Sequence, residues 1–109
     1  VRDLRVAWLA SESEPARCVL MVSTVPAGSL MRRAEDLAAR ADAVFDVVYD
    51  PWPTPLAVAG EAAGVTVIDG LDLLAGQAVG QVQLMTGYPV PMDVLRSTAQ
   101  NGLAEHARL

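Results

Sequence analysis

Short apolar runs alternating with helix-period stretches constrain this chain more than any other feature. CVLMVSTVPAG (18–28), VFDVVYD (44–50) and VTVID (65–69) read as strands, each bounded by Pro, Gly or acidic residues. Continuous apolar runs of this length suit strands covered on both faces, as in a parallel sheet. Between them, SLMRRAEDLAARADA (29–43) places Leu30, Ala34, Leu37, Ala38 and Ala41 on one helical stripe. Thr54 can cap a helix over 55–64, where Pro55 suits the first position and Gly64 the C-terminal cap. Residues 70–87 form a further helix with Leu71, Leu74, Ala78, Val82 and Met85 on its apolar face, and 91–109 a last one ending or breaking near Gly102. LRVAWLA (4–10) could add a strand, and SESEPAR behind it a polar loop or single helical turn. Strand and helix in short alternation predict right-handed crossovers and an α/β fold. At 109 residues the chain is one domain at most, or part of one.

Several function classes fall away on composition. No run reaches the roughly 18 apolar residues of a membrane span, and the N-terminus lacks the order of a signal peptide. A soluble, cytoplasmic protein is expected. The net charge is -5 and all eight basic residues are arginines, with no clustered positive surface for nucleic acid. Arg32 and Arg33 are adjacent, which a solvated helix face explains. The single Cys18 cannot form an internal disulfide and reads as a structural thiol. The one histidine, His106, stands three residues from the end; no Cys or His cluster offers a metal site, and no GxGxxG supplies a pyrophosphate turn. No acid/base pair is evident, so no catalytic residue is assigned.

What remains lies at the carboxyl ends of the predicted strands, where open α/β sheets bind ligands. Ser23, Thr24 and Val25 end one run, Tyr49 the next, and Asp69-Gly70 the third. Gln77 lies two turns into the helix that Gly70 opens. Each also has a plain reading. Thr24 can simply cap a turn, Tyr49 can be a strand-end residue with its hydroxyl in water, and Gln77 can be a surface residue. Gly70 either lets the chain turn tightly or allows a close approach.

The order of these pieces is more specific than any one of them. DVVYDPWPTPL, then a helix ending in AG, then VIDGLDLLAGQA and a TG near the helix end resembles the C-terminal half of shikimate dehydrogenase, with STVPAG upstream similar to a turn of that family. The likeness covers most of residues 18–95, and Leu73 stands where the family has Met. It implies an incomplete three-layer Rossmann-like parallel sheet, with 1–88 a partial NADP-binding domain and 89–109 a helix that would pack on an N-terminal substrate domain. The implied activity is NADP-dependent reversible reduction of 3-dehydroshikimate to shikimate. By position, Tyr49 and Gln77 would contact substrate, while Val47, Gly70, Ser23, Thr24 and Val25 would lie along the cofactor. The family's catalytic lysine and aspartate belong to segments not found here, and the chain has no lysine at all. The expectation is a fragment, inactive by itself. The alternatives are a quinate/shikimate relative using NAD, or a non-catalytic remnant that pairs as a homodimer through open apolar faces.

Overall fold

The structure is a computed structural model that describes residues 5–8 and 14–109. Three strands, β1 (Cys18–Ser23), β2 (Ala41–Asp46) and β3 (Thr66–Ile68), form one parallel sheet in the order β1-β2-β3. A 3-10 turn (Ala27–Leu30) and α1 (Ala34–Ala39) connect β1 to β2, and α2 (Pro55–Ala62) connects β2 to β3. Then follow α3 (Gly70–Thr86) and α4 (Met92–Ala107). The α/β class and the parallel sheet are as expected.

The core lies between the sheet and α1 with α2. Met21 and Val44 sit side by side in the strand register and pack with Leu37, Ala41 and Leu56, while Cys18, Leu30 and Val65 close the margin. Gly60 lets α2 settle on the sheet: a Cβ there would stand 2.9 Å from a methyl of Val67 and 3.6 Å from one of Val44. The alternate residues of β1, Leu20 and Val22, face the other way and stay half exposed. Val19 and Trp8 are largely exposed as well, leaving an apolar flank along β1.

Several boundaries differ from expectation. The helix expected over 29–43 is a 3-10 turn followed by the short α1, and ADAVFD belongs to β2. Ala-rich sequence favours helix weakly. Here the pairing of Ala41 through Asp46 with Cys18 through Ser23 overrides it, and the Arg40 N–H closes α1 on the carbonyls of Leu37 and Ala38. The strand expected to run to residue 50 therefore stops at Asp46, and Tyr49 is not a strand residue. Gly102 does not break α4, which continues to Ala107. Residues 5–8 are not in a strand, and the rest of the strand expected over 4–10 lies outside the described residues. The α3 stripe is also shorter: Gly70, Leu71 and Ala75 are buried, whereas Leu74 is half exposed and Met85 stands in solvent. The helix projects past the sheet, so only its first two turns have anything to pack on. On its other side the start of α3 meets α4, whose Arg96 reaches Asp69 and Asp72 and whose half-buried Leu95, Arg96, Ala99 and Leu103 recur at helical spacing.

Two local expectations hold closely. Thr54 caps α2, accepting from the Ala57 N–H at 3.1 Å, and Pro55 opens the helix. Gly64 follows the end of α2 with φ +74°, a left-handed conformation that suits glycine.

Candidate functional site

The carboxyl edge of the sheet gathers the residues picked out by sequence. As β2 ends, the Val47 N–H donates to the Ser23 carbonyl at 3.0 Å, and the Gly70 N–H donates to the Val48 carbonyl at 3.4 Å. The 47–48 segment thus bridges the tip of β1 to the start of α3. Ser23, Val47 and Gly70 come into one row across three strand ends.

Gly70 is the hub of that row. A Cβ on it would lie 2.1 Å from the Val47 carbonyl oxygen and 3.0 Å from Cδ1 of Tyr49. No side chain fits against a backbone carbonyl at that distance. The glycine is therefore needed for close approach, and what approaches is the protein's own chain together with the Tyr49 ring. Its backbone is not among the positive-φ glycines, so a tight turn is not the reason. Tyr49 keeps 43% of its surface exposed at this rim.

The remaining positions divide. Ser23 is buried, and its Oγ has no hydrogen-bond partner among the described residues. Thr24 and Val25 are exposed just beyond it. Gln77 is exposed two turns along α3, on the helical face that carries Gly70, and is not drawn into the row of backbone contacts.

Two supporting groups escaped the sequence reading. Asp46 is 2% exposed; its carboxylate accepts from the Thr54 hydroxyl at 2.8 Å and from the Val48 N–H at 3.2 Å. One buried acid therefore ties both ends of the loop carrying Val47, Tyr49 and the cis prolines Pro51 and Pro53. The second group is the charged cluster that starts α3. Asp69 caps the helix, accepting from the Asp72 N–H at 2.8 Å, while Asp72 accepts from the Asp69 N–H at 3.1 Å. Arg96 of α4 reaches both acids, Nη2 to Asp69 and Nε to Asp72, each at 2.6 Å. Partial burial pushes Asp72 upward, but the Arg96 hydrogen bond and the Asp69 backbone outweigh it and hold the carboxyl below its usual range. The Arg96 guanidinium is raised in turn, chiefly by its hydrogen bond to Asp72. The D-x-x-D spacing of 69–72 was a visible capping signal; the partner 24 residues further on was not.

No protein-family profile matches the chain. Individual relatives do. A shikimate dehydrogenase (NADP(+)) of Methanocella arvoryzae is 37% identical over 102 residues, covering 87% of this chain and 37% of that protein. The chain is homologous to the C-terminal part of shikimate dehydrogenases. Among solved structures, the Mycobacterium tuberculosis shikimate dehydrogenase superposes with a TM-score of 0.67 at 42% identity, over 79% of this chain and 32% of that one. A shikimate 5-dehydrogenase from Mycobacterium fortuitum gives 0.64 at 49% identity, over 72% and 29%. The fold is accordingly the Rossmann-like one of these enzymes. The chain spans well under half the length of the relatives it matches.

Proposed function

We propose that this chain forms the cofactor-side wall of an NADP-dependent shikimate dehydrogenase, a cytoplasmic enzyme interconverting 3-dehydroshikimate and shikimate. The observation that carries this reading is the row Ser23–Val47–Gly70 with Tyr49 against Gly70, at the sheet edge where such folds take ligands. NADP would supply the hydride acceptor for shikimate. The residues present fit its ring end: a buried Ser23 Oγ with no partner among the described residues, and exposed Thr24 and Val25 at the same edge. They do not fit its phosphates, because the α3 N-terminus is taken by its own carboxylates and the chain has no glycine-rich turn. Tyr49 and Gln77 would face the substrate. In this reading 1–88 is part of the cofactor domain, and α4, within 89–109, would meet the substrate domain on the side away from α3. The open apolar residues Leu84, Met85 and Tyr88 would also serve self-association as a homodimer.

Hydride transfer also needs a proton acceptor at the substrate hydroxyl; the chain has no lysine, and among the described residues the acids beside the row, Asp46 and Asp69, are engaged with Thr54 and Arg96. The 109 residues alone are expected to give no NADPH from shikimate and NADP; turnover by the pure chain would overturn that. Co-expression with the N-terminal part of the Mycobacterium tuberculosis enzyme should restore turnover, and Tyr49→Phe in that assembly should lower it. Restored turnover insensitive to Tyr49, Gln77 and Gly70 substitutions would sink the site assignment.

A further inference from the structure

The α4 helix contributes a charged side chain to the start of α3, and that start is the hub of the candidate site. Arg96 spans Asp69 and Asp72 with two 2.6 Å contacts. Asp69 is the residue before Gly70, and Gly70 lies against the Val47 carbonyl and the Tyr49 ring. A bidentate guanidinium fixes orientation as well as distance, which a single ammonium does not. The two acids are each favourable at a helix N-terminus. Standing side by side, they repel one another unless a cation is shared between them. Arg96 is the basic side chain that the structure pairs with either of them.

We propose that Arg96 is a positioning residue for the site: by bridging Asp69 and Asp72 it sets the pose of α3, and through it Gly70 against Tyr49 and the outward placement of Gln77. The roles of Tyr49 and Gln77 in ligand contact rest on the shikimate dehydrogenase reading; the coupling of Arg96 to them does not. Under this proposal α4 is part of the site's scaffold and not only an end piece awaiting another domain.

The coupling can be read in the 109-residue chain without any turnover. Amide exchange and heteronuclear NMR would be compared for the native chain, Arg96→Met and Arg96→Lys. Arg96→Met keeps the apolar stem and removes the fork. It should speed exchange of the Asp72–Leu74 amides by about tenfold, the scale of losing one charged hydrogen bond, while β2 amides stay protected. The Gly70 amide, the Tyr49 ring and the Gln77 side-chain amide should shift in the same spectrum, with Arg96→Lys recovering part of the change. If α4 signals move while Gly70, Tyr49 and Gln77 hold their positions, Arg96 merely docks α4 and the proposal fails. If Arg96→Met unfolds the chain, the milder Arg96→Lys decides: native-like Tyr49 and Gln77 signals there, with a single ammonium in place of the fork, also overturn it. Absence of shikimate turnover in the co-expressed assembly would count against the proposed function and leave these spectra as they are.

Discussion

Two strand-to-helix turns stand side by side at the carboxyl edge, and they are built differently. The turn into α2 is dry. Thr54 is fully buried, its hydroxyl caps the helix and at the same time donates to the buried Asp46, and the contacts span at most eight residues. The turn into α3 is half open and charged. Asp69 and Asp72 cap each other, and a side chain 24 and 27 residues further along completes the cluster. The first turn is locked by neighbours in sequence and by the core behind it. The second can be adjusted from α4. In the proposed site the first turn would be a wall fixed by local contacts and the second a wall set through Arg96.

The comparison breaks most sharply at Gly70, where the two turns touch. Gly70→Ala drives a Cβ into the Val47 carbonyl, a backbone atom that cannot swing aside. The cost should be about 3 kcal/mol or more, at the upper end of overpacking, seen as a lowered urea midpoint. A variant with native stability would mean that the 47–48 segment is free to move. Next in size is the dry turn. Thr54→Val keeps the shape, removes the cap and takes a donor from a buried carboxylate, for about 2–3 kcal/mol together. Thr54→Ser keeps the hydroxyl and should cost under about 1 kcal/mol. Equal losses in the two variants would show that packing of the methyl, not the bond to Asp46, fixes this turn.

How far sequence could be read here follows the range of the interactions. The start of α2 at Thr54-Pro55 and its end at Gly64 were legible because capping chemistry acts within four residues. Ser23, Tyr49 and Gly70 were legible as the ends of expected strands and Val47 only through the family resemblance; the structure brings Ser23, Val47 and Gly70 into one row with the Tyr49 ring against Gly70. The reason for the glycine was not legible, since it lies in contact with the 47–48 backbone more than twenty residues earlier. The α1–β2 boundary was missed because ADA carries no mark against helix until β1 is there to pair with it. The outer part of the α3 stripe was misread because periodicity reports which residues share a face, not whether anything stands opposite. Arg96 was invisible for the simplest reason: one arginine among eight, on a helix whose partner only the fold reveals.

The smallest expected effect sharpens the comparison on the charged side. Asp72 has its folded pKa below the ordinary carboxylate value of about 3.9. A depressed carboxylate adds stability that is fully present above the unfolded pKa and lost as pH falls through the folded one. Asp72 is substantially solvated, so screening should keep its contribution under about 1 kcal/mol. Asp72→Asn should therefore be slightly less stable than the native chain from pH 7 down to about 5, with a constant difference. Below about pH 4 the gap should close, as the native Asp72 carboxyl takes up its proton and Arg96 loses that one of its two counter-charges. The same gap should shrink in high salt at pH 7, whereas the deficit of Thr54→Val, whose groups are buried, should hardly respond. Paired urea titrations across pH and salt measure both. A gap that survives acid would mean that Asp72 acts through its hydrogen bond to the Asp69 N–H, which an amide oxygen also accepts, and not through its charge. The α3 turn would then be as local and as rigid as the α2 turn, and the distinction between the two walls would be lost.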